Sequence, residues 1–205
     1  MVVSRNGMKQ EKGMESKNRQ IIDAAIEKFS EKGFAKTTMQ EIAESAGVGK
    51  GTIYRFFDSK EDMVSGLIEA AITEITGLIR ERLKSVSDPV EKLLTVISVE
   101  LDYYERNRDL SKFLAREVWG FQNKFADHIR NIRSNQGKLL EEIIRDGIDQ
   151  KRLKEVDPET AAAAFEGMIL ATTVHWFMFR EGFPRERIFE TVKRMSLQGL
   201  LVSQE

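Results

Sequence analysis

Residues 38 to 58 read TMQEIAESAGVGKGTIYRFFD, a spacing that fits two short helices closed around one glycine turn. Counting from Met39, the small or apolar positions are Ile42, Ala43, Ala46, Val48, Ile53 and Phe56, with Gly47 between the two sets. Ala43 has to be small because the second helix crosses over it, and Gly47 has to accept the positive φ of a sharp inter-helix turn. Thr38 and Glu41 stand as S/T-x-x-E, in which hydroxyl and carboxylate cap free amides reciprocally, so a helix begins near Met39. Asp58 with Glu61, or Ser59 with Asp62, offers the next start, which leaves a short helix from Lys50 to Phe57 between them. Upstream, Ile22, Ala25, Ile26 and Phe29 recur at i, i+3, i+4, i+7 and mark a supporting helix that ends near Gly33. A three-helix unit of this kind serves to push its last helix into DNA.

Gly33-Phe34, Thr37-Thr38, Ile42-Ala43 and Ala46-Gly47-Val48, followed by Lys50-Gly51-Thr52-Ile53-Tyr54, Phe56-Phe57 and Ser59-Lys60-Glu61, carry a family likeness. On these motifs, residues 16 to 68 resemble the N-terminal domain of TetR-type transcriptional regulators, the tetracycline-repressor-like family. Two positions depart from the pattern: Gly49 stands where serine is common, and Arg55 where an aromatic or histidine is common. With Ile53 and Phe56 turned to the core, Lys50, Gly51, Tyr54, Arg55 and Asp58 project the other way. The expected DNA-binding set is Thr37, Thr38, Gly49, Lys50, Gly51, Thr52, Tyr54, Arg55 and Lys60. Within it Thr37, Thr38, Tyr54 and Lys60 are expected chiefly to hold phosphates, and Arg55 to read a base.

Charge narrows the source of DNA affinity. Residues 1 to 20 carry Arg5, Lys9, Lys12, Lys17 and Arg19 against Glu11 and Glu15, whereas residues 21 to 60 balance six bases with six acids. The 205-residue chain has a net charge of −1, so affinity has to come from the placement of charge rather than its sum. The basic excess lies in residues 1 to 20; the tail, residues 1 to 15, reads either as a flexible solvated segment or as an arm along the minor groove. The chain contains no cysteine, which excludes disulfides and thiolate chemistry. Its first residues, MVVSRNGMKQEKGMESK, lack the apolar core of a signal peptide, and the longest apolar run, residues 167 to 179, is too short to cross a bilayer. The expectation is a soluble cytoplasmic protein with no membrane partner.

Beyond residue 60 the chain reads as helical. Pro89, Pro158 and Pro184 each sit where proline fits a first helical turn, with Asp88 and Asp157 as caps before two of them. Helices are expected near 60–85, 89–106, 109–118, 122–151, 158–181 and 185–202, the fourth with an apolar side of Phe125, Ile129, Ile132, Leu139, Leu140 and Ile143. The fold class is all-α: a three-helix head at 16–62, with its motif at about 39–58, and a larger helical domain for ligand binding and dimerisation at 63–205. The last two helices mix small residues (Ala161 to Ala164, Gly167, Thr172, Gly199) with large apolar ones on more than one face, so something else covers part of them. The resemblance implies the same arrangement, a homodimer joined through these two helices.

Aromatic and thioether side chains concentrate after residue 100. Tyr103, Phe113, Trp119 and Phe165, with Met168, Thr172, His175 and Trp176, are the candidate lining of an effector pocket, apolar with few polar handles. No tight cluster of Arg and Lys marks a phosphate-rich ligand, so an acyl chain, an aromatic compound or a lipophilic drug is expected. His128 and His175 are far apart, and no nucleophile with a base, metal cluster or phosphate loop stands out, so no catalytic residue, metal or cofactor is assigned. The reading is a regulator of transcription, a repressor that leaves a palindromic operator in double-stranded DNA when a small apolar effector binds. The alternative is an architectural or partner-controlled DNA-binding protein with no effector.

Overall fold

The computed structural model describes residues 5–120 and 126–201, with side chains over 16–116 and 137–201. Its helices are α1 (Arg5–Lys32), α2 (Met39–Ser45), α3 (Lys50–Ile53), α4 (Lys60–Leu83), α5 (Pro89–Arg106), α6 (Arg108–Gly120), α7 (Ala126–Asp149), α8 (Pro158–Phe179) and α9 (Arg185–Leu200). The fold is all-α, and the described residues hold no strand beyond an isolated antiparallel bridge between Leu153 and Leu201. Two compact units divide the chain, Met1–Leu67 and Ile68–Glu205, the division falling inside α4.

In the first unit α1 packs on α2 and α2 on α3, around Ile21, Ala25, Phe29, Ile42, Ala43 and Ile53, all fully covered. Helix α1 starts at Arg5, ahead of residue 16 where the sequence places the head; Met8, Lys9, Gln10, Glu11 and Lys12 are good helix formers, and the helix continues through Gly7 and Gly13. The Thr38 capping box is present, with both reciprocal bonds formed. Helix α2 closes through the Val48 amide donating to the Ala43 carbonyl at 2.9 Å, and Gly47 takes φ 64°, a left-handed conformation that a Cβ would strain. Helix α3 is shorter than the expected 50–57: α-helix ends at Ile53, and residues 54 to 56 continue as turns, the Arg55 amide bonding Thr52 and the Phe56 amide bonding Ile53. Of the two caps offered before α4, Ser59 is used, its hydroxyl accepting from the Asp62 amide at 3.0 Å.

In the second unit α8 lies against α7, α6, α5 and α9, and α5 lies against α9, α7 and α6. Its core comprises Leu93, Ile97, Leu101, Phe113, Leu140, Ile144, Phe165 and Ile169 among others. The helix starts follow the capping logic: Asp88 accepts from the amides of Val90 and Glu91, Asp157 accepts from Thr160, and Pro89 and Pro158 each follow in the first turn. Pro184 differs, standing at the N-cap itself with no side-chain cap, one position before the first turn. Of the expected apolar side of α7, Leu140 and Ile143 are buried and Leu139 half-buried, whereas Phe125 and the side chains of Ile129 and Ile132 lie outside the described residues. Gly147 of α7 is required by close approach: a Cβ there would stand 2.6 Å from Leu153 Cδ1 and 3.3 Å from Pro89 Cβ. Helix α8, 22 residues long with a mean hydropathy of 1.2 over its most apolar window, is long and apolar enough to cross a bilayer. Counting only the uninterrupted run from residue 167 understates its length, because Ala161 to Ala164 extend the apolar stretch upstream. Core helices pass the same test, and α8 buries Ala162, Phe165, Ile169, Thr173, Val174 and Phe177 inside the unit.

Candidate DNA-reading face and effector core

An open groove on the first unit is bordered by Thr37, Thr38, Lys50, Tyr54 and Lys60, together with Ala35, Met39, Gln40, Asp58, Ser59 and Glu61. Five of the nine expected DNA-binding residues thus meet around one concavity. Gly49, Gly51, Thr52 and Arg55 do not border it; Gly49, Gly51 and Arg55 are exposed and Thr52 half-buried. Gly49 caps α3 without any side-chain bond, which leaves the first amides of that helix open to an external acceptor. Tyr54 is 44 % exposed although it follows fully buried Ile53, so α3 does present one side to solvent. Gln40, exposed at the rim of the groove with its amide donating to Glu44 at 2.8 Å, was not anticipated. Its signal in the sequence was its place in the first turn of a capped helix, next to inward-facing Met39.

Two of the expected phosphate holders are placed otherwise. Thr37 is 1 % exposed, and its hydroxyl is directed at the carbonyls of Gly33 at 2.9 Å and Lys28 at 3.1 Å, so its side chain closes the end of α1. Lys60 turns its ammonium inward, donating to the carbonyls of Phe34 and Thr37, each at 2.7 Å, and lying 4.5 Å from the centre of the Phe34 ring. The carbonyl-rich end of a helix and its turn attracts a cation as a phosphate does. Sequence spacing alone does not separate the two.

Glu41 completes the local electrostatics. The Lys32 ammonium at 2.6 Å holds its carboxyl below the usual carboxylate range, helped by the Thr38 amide at 3.0 Å.

The candidate effector residues fall on different sides of the second unit. Tyr103, Phe113 and Phe165 are buried; Met168, Thr172 and Trp176 are half-buried; His175 is exposed; the Trp119 side chain lies outside the described residues. His175 therefore faces away from the core, with its ring 5.8 Å from Phe179 and 6.0 Å from Trp176. Trp176 itself lies under the Arg187 guanidinium of α9, 4.6 Å from the ring centre. The Thr172 hydroxyl is spent on the Met168 carbonyl at 2.6 Å. Tyr103 reaches Glu74 of α4 at 3.4 Å, and burial, reinforced by that carboxylate, pushes its phenol well above the ordinary tyrosine range.

Polar groups within this core were missed. Glu100 is buried on α5 among Ile97, Leu101 and Tyr103, and the Thr173 hydroxyl of α8 is buried without a hydrogen-bond partner among the described residues. Glu100 occupies an i+3 slot after Ile97, so the apolar period of α5 could have exposed it.

An exposed stripe runs along α8 through Ala163, Ala164, Gly167, Ala171, His175, Met178 and Phe179, the last 66 % exposed. On α9, Met195 is exposed in a shallow groove bordered by Arg187, Glu190, Thr191, Arg194 and Gln198. Small residues flanked by large apolar ones on adjoining helices suit close packing of another helical surface.

Comparison with known proteins places this geometry. Residues 21–67 match the model of the bacterial regulatory proteins of the tetR family, and residues 86–200 match a tetracyclin repressor-like C-terminal domain. The chain is similar to the fatty acid metabolism regulator protein of Bacillus subtilis (strain 168), 28 % identical, covering 90 % of this chain and 95 % of that protein. It is also similar to the crystal structure of the transcriptional regulator FadR from Bacillus subtilis in complex with stearoyl-CoA, with TM-score 0.83 and 27 % identity over 89 % of this chain and 98 % of that one. The fatty acid degradation regulator FadR from Bacillus halodurans shares the fold with TM-score 0.84 and 24 % identity, covering 89 % of this chain and 95 % of that one.

Proposed function

Because this chain belongs to the tetR family of bacterial regulatory proteins, a family of DNA-binding transcriptional regulators, we propose that it is a homodimeric repressor released from a palindromic operator by a long-chain acyl-CoA thioester. The observation that carries the effector class is the likeness, along nearly the whole chain, to a regulator crystallised with stearoyl-CoA. The core of the second unit is compatible with it: Phe113, Phe165 and Ile169 provide apolar surface, and the unspent Thr173 hydroxyl provides a polar handle. This effector keeps the expected acyl chain but adds a phosphate-bearing end, which the sequence argued against for want of a basic cluster. Only the chain needs the core; the nucleotide end can remain near solvent.

Dimerisation is supported by the exposed stripe of α8 and by Met195 of α9, surfaces too apolar to be left in water. A two-fold dimer also answers the shortness of α3, since one four-residue helix reads few bases and two read a palindrome. Regulation requires that the effector bind one dimer conformation better than another, and that the operator prefer the other. Coupling has a covalent route, because α4 contains residues of both units. A repressor that acts on chromosomal DNA has to work in the cytoplasm, the compartment this reading assigns to it.

The test is operator selection from random DNA, followed by titration of the complex with acyl-CoAs from four to eighteen carbons and with free CoA. Each buried methylene contributes about 0.8 kcal/mol, so affinity should rise about tenfold for each pair until the cavity is filled. Free CoA should release nothing. Acyl-CoAs that altered neither the thermal transition nor the operator complex would refute the effector class and favour control by a protein partner.

A further inference from the structure

The turn between α1 and α2 is held by two side chains whose partners are all main-chain carbonyls. Thr37 Oγ1 lies 2.9 Å from the Gly33 carbonyl and 3.1 Å from that of Lys28, while Lys60 Nζ lies 2.7 Å from the carbonyls of Phe34 and Thr37. The single Thr37 hydroxyl proton serves one of its two carbonyls at a time and the Lys60 ammonium serves two, so three carbonyls of the end of α1 and its turn receive donors from these side chains. Lys60 also lies 4.5 Å from the centre of the Phe34 ring, itself buried and tilted against Phe29 at 5.8 Å. A lysine has three N–H donors, and two are spent here. As the first residue of α4, Lys60 carries a positive charge that the macrodipole opposes, and the carbonyl oxygens compensate for it.

The next residue after Thr37 is the N-cap of α2, and α2 leads through the Gly47 turn to α3. A shift in the turn therefore becomes a shift in where α2 starts and how α3 is presented. We propose that Lys60 and Thr37 are positioning residues for operator reading: together they pin the α1–α2 turn to the first turn of α4, and Lys60 acts through those carbonyls rather than as a clamp on a DNA phosphate. The inference rests on DNA binding by the first unit, and is independent of what the effector is.

A phosphate clamp and a positioning residue leave different signatures. Losing a clamp lowers the slope of log affinity against log salt by about 0.9 for each phosphate contact and leaves the fold alone. Losing a positioning residue lowers affinity with the slope unchanged. The experiment measures operator affinity of the full-length protein between 50 and 300 mM salt, with melting temperature, for Lys60→Met, Thr37→Val, Thr37→Ser and the Lys60→Met/Thr37→Val pair. Lys60→Met should weaken binding at least tenfold at every salt concentration, with an unaltered slope and a lower melting temperature. Thr37→Val should reproduce this, although a buried residue reaches no phosphate, and Thr37→Ser should restore near wild-type binding. The double variant should lose less than the product of the two single losses, because both act on one turn.

A Lys60→Met protein with a normal melting temperature and a reduced slope would overturn the proposal, as would Thr37→Val binding like wild type. If Lys60→Met fails to fold, the Thr37→Val and Thr37→Ser pair decides: equal affinities refute the role, and a loss that serine repairs supports it. Selection of the operator on the wild-type protein precedes these comparisons, and no effector enters them, so failure of the acyl-CoA reading leaves this result intact.

Discussion

Val192 and Met195 stand three residues apart on adjoining sides of α9, yet Val192 is 2 % exposed and Met195 64 % exposed. Sequence periodicity treats both as candidates for a surface between protomers, but only Met195 has side chain to offer. Met195→Glu should therefore keep the helical signal in circular dichroism, run as a monomer in light scattering and lose tight operator binding. Val192→Asp should instead unfold the second unit, since a buried unpaired carboxylate costs several kcal/mol. A Met195→Glu protein that remained dimeric would move the interface away from α9.

Arg185, at the start of α9, ties that helix to α5. Its Nε donates to Asp102 at 2.7 Å, one terminal nitrogen to the Ser98 hydroxyl at 2.7 Å, and the other to Glu186 at 2.9 Å. Arg185→Ala should cost about 1–2 kcal/mol, for charge-assisted bonds at a partly covered site. Chemical denaturation should show Asp102→Ala losing part of the same energy, with the double variant less damaged than the sum. Additive losses would mean that Arg185 contributes through packing on Phe189 rather than through Asp102.

The capping box predicts an acid-sensitive head. Glu41 is held below its ordinary pKa by Lys32 first and the Thr38 amide second, so its contribution is present above the unfolded value and is lost as pH falls through the folded one. Thr38→Ala should remove about 1 kcal/mol at neutral pH. Glu41→Gln keeps an acceptor for the Thr38 amide but no charge for Lys32, so the stability of the first unit should become flatter between neutral and acid pH. Amide exchange of α2 measured from pH 7 to pH 3 reads this; equal pH dependence in wild type and variant would remove the assignment.

Much of this was legible because it is local. The Gly47 turn, the Thr38–Glu41 box and the caps at Asp88 and Asp157 depend on residues within five positions of each other. The contacts of Lys60 and Thr37 were not legible because their partners are carbonyls, which carry no sequence signal, and those of Lys60 lie 23 and 26 positions away. The exposure of His175 was not legible for a related reason. On α8 apolar residues occur on all sides, so periodicity cannot tell the core face of Phe165 and Ile169 from the exposed face of Ala171 and His175. Pro184 resembles Pro89 and Pro158 in the sequence, but no capping aspartate precedes it, and the helix begins one residue later.

The final prediction separates reading from holding on the DNA face. Arg55 is exposed beyond buried Ile53, and Lys50 borders the groove at the uncapped start of α3. An arginine that reaches guanine makes a bidentate contact worth about 1–3 kcal/mol of discrimination, whereas a lysine on phosphate contributes equally to every sequence. Arg55→Ala should accordingly weaken the selected operator by tenfold or more while leaving random-sequence binding almost unchanged, and its losses should converge on one base pair in each half-site. Lys50→Ala should weaken operator and random DNA alike and reduce the salt slope by about 0.9 for each contact removed. Tyr54→Phe tests the exposed phenol, and should cost less than tenfold if its hydroxyl bonds a phosphate and its ring remains against the turn. Fluorescence anisotropy on a panel of single-base operator variants distinguishes these outcomes. Equal losses from Arg55→Ala on operator and random DNA would assign Arg55 to the backbone and leave sequence reading to Thr52 and Gln40.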